Sequence, residues 1–314
     1  MSEVLEAIRR WQERGERVAL ATVVATRRSA PRPVGSKLAV SERGELAGSV
    51  SGGCVESDVA ETAREVIASG RPVLRSYGYA DERAWEVGLP CGGEIEVFVE
   101  PLDGELPDPD VAAVQYTVVA GPRIGTRWLD APNGARSGLV ELEGETVFAE
   151  VLGPPPTLLV LGAGDIAEAL CSIMGVVGWR TVVADPRPRF ATPERVPSAG
   201  ELVVARPEEV LDRVAPDTAV VALTHETRFD VPLLAGALER KAFYLGALGS
   251  RRSAERRCEL LLEAGVPAER IDRISAPIGL DIGGETPAEI ALSIAAELVA
   301  ARAGRGADGT IDLR

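Results

Sequence analysis

Residues 157–170 are TLLVLGAGDIAEAL, and their pattern indicates the fold of the C-terminal half of the chain. Its first residues are β-formers that predict a buried strand, and residues 165–178 predict a helix. Between them lies Gly-x-Gly-x-x-Ala, whose glycines allow a tight turn and let backbone amides approach a phosphate. Asp185, 23 residues after Gly162, would accept a hydrogen bond from a ribose or other ligand hydroxyl. We therefore predict that Gly162, Gly164 and Asp185 bind a cofactor, although any such turn also needs small residues for geometry alone.

In the rest of the C-terminal half, predicted strands alternate with predicted helices. Strands are predicted at 180–187, 218–224 and 242–249, and helices at 229–240 and 252–264. This alternation predicts a doubly wound, Rossmann-like parallel sheet. For the last helix, Thr286 is the expected N-cap, with Pro287 at the first helical position, Glu289 completing a capping box and Gly304 at the far end.

Further candidate site residues follow the predicted strands. Residues 246–252, GALGSRR, lie between a strand and a helix, and Gly249, Ser250 and Arg251 would suit a phosphate. His225 follows another strand, where ligands of open parallel sheets bind, and it is a candidate acid or base, or a hydrogen-bonding ligand. Asp281, on the loop before the last helix, could line the same cleft. The alternatives are a solvated helix start, a structural histidine and a solvated carboxylate.

The N-terminal half, residues 1–152, is predicted to form a separate α/β domain. GPPP at 153–156 is a candidate linker to the domain at 157–314, because consecutive prolines form stiff spacers. Helices are predicted at 2–13 and 54–69 and a hairpin turn at 42–44. Strands are predicted at 17–26, 72–79 and 94–100, with shorter candidates at 115–120 and 138–152.

Two of the four cysteines in this chain adjoin glycine pairs. Residues 48–57 are GSVSGGCVES, with Gly52, Gly53 and Cys54, and residues 89–93 are LPCGG, with Cys91 and Gly92. A thiol at a helix start is favoured as thiolate, and the glycines could form a backbone nest for an anion. Cys54 and Cys91 are therefore candidates to face a thiophilic metal or relay sulfur, although both also suit tight turns as small residues. Cys171 and Cys258 lie inside predicted helices and are expected in the core.

Composition excludes several classes of function. The net charge of −14 argues against a surface dedicated to nucleic acid or anionic membrane. The N-terminus has no signal-peptide pattern, and no run of 18 apolar residues occurs, so we expect a cytoplasmic protein. A single histidine rules out mechanisms that need several imidazoles, and two cysteines alone cannot complete a zinc site.

Taken together, these segments resemble the XdhC/CoxI family, accessory proteins of xanthine dehydrogenase and related molybdenum hydroxylases. The matching stretches, in order, are GSVSGGCVE, LPCGGEIEVFVEPL, LLVLGAGDIAEAL, ADPR, LTHETRFD, YLGALGSRRS and APIGLDIGGETPAEIALSIAAEL. Two positions depart from the family pattern: Glu226 stands where an aspartate is common, and Ser275 where many members have a histidine. A role that needs that second histidine is therefore not carried over.

The resemblance implies a molybdenum cofactor chaperone. Such proteins bind a molybdopterin-type cofactor while a cysteine desulfurase supplies its sulfido ligand, then help to insert it into the hydroxylase apoprotein, often as homodimers. No turnover chemistry is attached to the family. On this interpretation Cys54 and Cys91 face the molybdenum, and the glycine loops, Asp185 and His225 hold the phosphate and the pterin or a nucleotide. The alternatives are an NAD(P)-dependent oxidoreductase with His225 as acid or base, and a docking scaffold without ligand.

Overall fold

The computed structural model describes residues 2–78, 93–102, 104, 106–108, 110–132 and 136–304. It divides into two compact units, Met1–Pro154 and Pro155–Arg314. Their boundary falls inside the proline-rich stretch 153–156.

The described residues of the N-terminal unit form two antiparallel sheets and two helices. The first sheet has the order β3-β2-β1-β5-β4, and the second has the order β7-β6-β9-β8. The elements are α1 (Ser2–Glu13), β1 (Val18–Arg27), β2 (Lys37–Ser41), β3 (Leu46–Gly48), α2 (Glu56–Ser69), β4 (Val73–Tyr77), β5 (Glu94–Pro101), β6 (Ala113–Ala120), β7 (Arg127–Asp130), β8 (Gly138–Leu142) and β9 (Glu145–Leu152).

Strand β1 is buried on both faces, which explains its uninterrupted run of apolar residues. Ala21 and Val23 pack in one core with Val59 and other residues of α2. Leu20 packs on the opposite face in a core that contains residues of α1. The first sheet is therefore covered by a helix on each side of its central strand.

The C-terminal unit is a single parallel sheet with helices on both faces. Its strand order is β12-β11-β10-β13-β14-β15, and every neighbouring pair is parallel. The elements are β10 (Thr157–Leu161), α3 (Asp165–Val177), β11 (Arg180–Asp185), β12 (Glu201–Val204), a 3₁₀ helix (Pro207–Arg213), β13 (Thr218–Ala222), α4 (Thr227–Glu239), β14 (Tyr244–Ala247), α5 (Arg251–Glu263), α6 (Ala268–Ile271), β15 (Ile274–Ser275) and α7 (Pro287–Arg302).

This topology confirms the predicted Rossmann-like sheet. In sequence order the strands are arranged 3-2-1-4-5-6, the order of the dinucleotide-binding fold. The order reverses between β10 and β13, and ligands of such sheets bind at this switch point, beyond the carboxyl ends of the strands. One core packs α3 and α7 against the sheet, and a second core packs α4 and α5 against its other face.

The last helix begins and ends as predicted. The Thr286 hydroxyl accepts from the Glu289 amide at 3.3 Å, and the Glu289 carboxylate accepts from the Thr286 amide at 2.9 Å. Gly304, just past the helix end, has a φ of 67° that suits glycine. Within the described residues, no helix is long and apolar enough to cross a membrane.

Candidate functional site

The fingerprint loop after β10 packs against the chain that follows β13. Gly162 has a φ of 112°, and a Cβ there would lie 3.1 Å from the carbonyl carbon of Leu223 and from the amide nitrogen of Thr224. At Gly164, by contrast, a Cβ would meet no atom within 4 Å. The first glycine is therefore required for close packing, whereas the second leaves open space at the start of α3.

Asp185 fixes the fingerprint loop through hydrogen bonds to its carboxylate. Its carboxylate is fully buried and accepts from the amide of Ala163 at 2.9 Å and from the amide of Arg187 at 2.9 Å. The Arg187 guanidinium completes the set, with Nε at 2.9 Å and Nη2 at 2.8 Å. Burial raises the pKa of Asp185, but the hydrogen bonds from Arg187 and Ala163 outweigh it and lower the pKa overall.

These four donors change what Asp185 can do for a ligand. A carboxylate has about four lone-pair sites, and all four are engaged within the protein. Accepting from a ligand hydroxyl, as the sequence suggests, would require Arg187 to turn away. In this structure, Asp185 positions the loop instead.

Arg187 is half-buried, and its guanidinium also contacts groups other than Asp185. Its Nη1 donates to Glu226 at 2.9 Å, and its guanidinium lies 4.0 Å from the centre of the Phe190 ring. Sequence reasoning missed it, although its position two residues after Asp185 is a usable signal. Arg187 thereby joins the end of β11 to the chain that follows β13.

His225 lies at the carboxyl edge of the sheet, where the sequence places it. It is exposed and has a φ of 58°, a conformation that non-glycine residues seldom adopt. The Thr224 hydroxyl before it donates to Asp230 at 2.6 Å and accepts from the Glu226 amide at 3.1 Å. These bonds fix the turn that presents the imidazole to solvent.

The Gly249 loop, residues 248–251, is held by an arginine that the sequence analysis did not single out. The Nη2 of Arg257 donates to the carboxylate of Asp230 at 2.9 Å and to the carbonyl of Leu248 at 3.0 Å. Arg257 is only 3% exposed, whereas the predicted Arg251 is exposed. The usable signal is its position on the apolar stripe of α5, three residues after Ala254 and four before Leu261.

A continuous series of contacts therefore joins the two loops. It runs from the fingerprint loop through Asp185 and Arg187 to Glu226, and from the neighbouring Thr224 through Asp230 and Arg257 to the Gly249 loop. The structure thus brings together Gly162, Gly164, Asp185, His225, Gly249 and Ser250 along one edge of the sheet.

The loop before α7 is held by a buried carboxylate of α7 itself, that of Glu297. Asp281 is exposed, and the nearby Gly279 amide donates to the buried carboxylate of Glu297. The Ser275 hydroxyl donates to the same carboxylate. Ser275 therefore has a structural partner.

In the N-terminal unit, the GSVSGG segment closes around Glu56. This carboxylate accepts from the amides of Val50, Ser51 and Gly53 at 3.2, 2.9 and 2.8 Å, and from the hydroxyls of Ser49 and Ser51. The proposed anion nest is therefore occupied by a side chain of this chain. This corrects the expectation that its glycine amides stand free for a ligand anion.

Cys54 is exposed and lies two residues before α2, which begins at Glu56 rather than at residue 54. Its amide donates to Ser51 Oγ at 3.0 Å, and the Ser51 hydroxyl in turn donates to the Glu56 carboxylate. Cys91 and Gly92 lie outside the described residues, so the pairing of Cys54 with Cys91 stays a prediction. Elsewhere in the described ranges, no group of three or more His, Cys, Asp or Glu side chains is placed to hold a metal.

The other two cysteines are structural, as expected. Cys171 lies on the buried face of α3, and this burial raises the pKa of its thiol to about 12. Cys258 is half-buried and packs against the core on the opposite face. Neither is placed for chemistry at the edge of the sheet.

The fold and site define a Rossmann-domain protein with an N-terminal glycine–cysteine segment. Residues 11–78 match the model of the XdhC and CoxI family, and residues 158–298 match that of the XdhC Rossmann domain. The chain belongs to the XdhC and CoxI family.

Known relatives extend along most of the chain. The Molybdenum cofactor insertion chaperone PaoD of Escherichia coli is 31% identical over 92% of this chain and 84% of its own length. A Bacillus subtilis protein named as a probable xanthine dehydrogenase subunit is 28% identical over 91% of this chain and 94% of its own. The crystal structure of a xanthine dehydrogenase from Bacillus halodurans covers 98% of each chain at 25% identity, with a TM-score of 0.76.

Proposed function

We propose that this protein binds a molybdopterin-type molybdenum cofactor and delivers it to a hydroxylase of the xanthine dehydrogenase type. The observation that carries the proposal is the 31% identity, over 92% of this chain, to a protein named as a molybdenum cofactor insertion chaperone. The role is that of a maturation factor that carries its cofactor as cargo.

The chemistry of the described residues supports this proposal. The cofactor carries a phosphate, a polar pterin and a thiophilic metal. The start of α5 suits an anion, and the polar edge that includes His225 suits a heterocycle. Cys54 is an exposed thiol, the kind of group that binds a thiophilic metal or carries sulfur.

The proposed partners follow from the same role. A cysteine desulfurase would supply sulfur to the bound cofactor, and the hydroxylase apoprotein would receive the product. We propose that the protein works as a homodimer in the cytoplasm.

The direct test is to purify the chain from cells that make the cofactor and to measure bound molybdenum and pterin. We expect both to co-purify with the native protein and the molybdenum to fall in Cys54→Ala. Cys258→Ala is the matched control, because this half-buried thiol packs against a core of the C-terminal unit. A native protein that carries neither molybdenum nor pterin would contradict the proposal.

An NAD(P)-dependent oxidoreductase is the second candidate, favoured by the 3-2-1-4-5-6 strand order and the fingerprint loop. The saturated carboxylate of Asp185 weakens it, because that group normally accepts from the ribose. Fluorescence titration with NADH separates the two. Micromolar binding followed by hydride transfer to a small carbonyl compound would favour the oxidoreductase.

A further inference from the structure

The two helix starts at the edge of the parallel sheet differ in charge. The first turn of α3, at the fingerprint loop, carries Asp165 and Glu168. The first turn of α5, at the Gly249 loop, has no acidic residue and begins with Arg251 and Arg252. Both helix dipoles favour an anion, but the carboxylates at α3 oppose it, whereas the guanidiniums at α5 add to the attraction.

A buried guanidinium with unused donors lies behind the Gly249 loop. The Nε and Nη1 atoms of Arg257 are shielded from solvent and have no hydrogen-bond partner among the residues that the structure describes. Its Nη2 binds Leu248 and would lie 3.9 Å from a Cβ placed on Gly249, so the guanidinium points at this loop. Buried donors without partners are costly, and an arginine fork is suited to oxyanions.

The side-chain charges around the Gly249 loop also favour an anion. Arg257 is offset by one carboxylate, that of Asp230, at 2.9 Å. Arg251 and Arg252 are exposed, and no ion pair of either with a described residue lies within 4.0 Å. The Gly249 loop therefore has an excess of positive charge in a protein whose net charge is −14.

We infer that the Gly249 loop is the phosphate-binding end of the site and that the fingerprint loop is not. The ligand is a phosphate monoester dianion, held by the amides that begin α5 and by the charges of Arg251 and Arg252. The Ser250 hydroxyl caps α5 by accepting from the Ser253 amide at 3.3 Å, and its own proton can be donated to the ligand. Arg257 is a positioning residue that fixes the loop through the Leu248 carbonyl and supplies buried positive charge. This inference deepens the proposed function, on which it rests for the source of the phosphate.

Gly249 has a specific part in this site. Its φ of 143° disfavours other residues, and a Cβ would lie 3.0 Å from the Cβ of Ser253. A bare backbone keeps the loop close to the start of α5 and lets an anion approach the amides.

The probe is inorganic phosphate, titrated into the full chain at constant ionic strength and followed by calorimetry and by backbone amide shifts. We expect shifts confined to the Gly249 loop and the first turn of α5. Arg257→Gln should weaken binding by about tenfold or more, and Arg257→Lys and Ser250→Ala by less. Arg256→Gln is the matched control, because this exposed neighbour pairs with Glu259 and should alter affinity less than about twofold.

The inference would be overturned if the native chain bound no phosphate, or if the amide shifts appeared at residues 162–165. It would also be overturned if the single variants Arg257→Lys and Ser250→Ala both bound phosphate with normal affinity. An Arg256→Gln effect as large as that of the folded Arg257 variants would overturn it as well. If Arg257→Gln fails to fold, the lysine and alanine variants still decide. Competition by NADH, whose phosphates form a pyrophosphate diester, would contradict the assignment to a monoester. Because phosphate needs no cofactor-making cell, this test can succeed even where the purified protein carries no molybdenum.

Discussion

Glu56 organises the segment that presents Cys54. Partial burial raises the pKa of Glu56, but hydrogen bonds from Ser51, Ser49 and the backbone outweigh it and lower the pKa to about 2. The unfolded value is 4.5, so the stabilisation is complete above about pH 4.5 and is lost as the pH falls towards 2. An ionised carboxylate therefore closes the loop at neutral pH.

We predict that Glu56→Gln lowers the free energy of unfolding at pH 7 by about 1–2 kcal/mol, because an amide cannot satisfy the same set of donors. The difference between native and variant proteins should shrink as the pH falls from 4.5 to 2. Urea unfolding across this range measures it. Glu61→Gln, an exposed change on the same helix, should have little effect. A difference that stays constant down to pH 2 would contradict the assignment.

Two glycines of the same segment should differ in their tolerance of a side chain. At Gly48, φ is 88°, and a Cβ would overlap the carbonyl of Lys37 and lie 2.7 Å from Cγ2 of Val4. At Gly52, φ is 73°, but a Cβ would have open space. Gly48→Ala should therefore cost about 3 kcal/mol and Gly52→Ala about 1 kcal/mol, measured by chemical unfolding. Equal costs would show that the packing around Gly48 is not as described.

For single residues, the sequence predicts where a side chain lies in the fold better than it predicts which other side chains it contacts. The glycines of the fingerprint, Ser250 and His225 all lie where the strand and helix pattern puts them. Glu56, Arg187 and Arg257 were missed, because their importance depends on which side chains meet after folding. Asp185 was found, but its carboxylate is filled by Arg187, a contact that no spacing rule contains.

At the level of elements, one buried and one partly exposed ion pair join the two sheets of the N-terminal unit. Lys37 of β2 pairs with Glu150 of β9, and Glu100 of β5 pairs with Arg127 of β7. They flank a cavity of about 30 Å³, enough for about one water molecule. Burial raises the pKa of Glu100, which Arg127 only partly counters.

We predict that Glu150→Leu destabilises the N-terminal unit by about 3–5 kcal/mol, because it leaves the Lys37 ammonium buried and unpaired. The double variant Lys37→Met with Glu150→Leu should recover most of this loss. A double-mutant cycle by urea unfolding measures the coupling between the two. If the single and double variants are equally destabilised, the sheets are not joined through this pair.

The same element scale shows what periodicity can and cannot predict. Strands with a run of four or more buried residues, such as β1, β10 and β13, were found from their apolar runs. The short strands β7, β12 and β15 were missed, because each has at most four residues and none is fully buried. Their identity comes from the neighbouring strand rather than from their own sequence.

In the whole molecule, each hydrophobic core of the described residues is built from residues of a single unit, and none combines residues of both units. Two cores are built from residues after Pro155, and four from residues before Pro154. The parallel sheet is complete within the C-terminal unit, with helices on both faces. Each unit therefore contains what an independent folding domain needs.

We predict that the fragment 155–314 folds alone and unfolds cooperatively, with a free energy of unfolding of about 5–15 kcal/mol. Its backbone amide spectrum should reproduce the signals of β10 and β13 from the full chain. Leu161→Asp is the matched control, because this side chain is fully buried and a carboxylate there should abolish folding. A native fragment that has a collapsed spectrum and a gradual urea transition would show that its fold depends on the N-terminal unit.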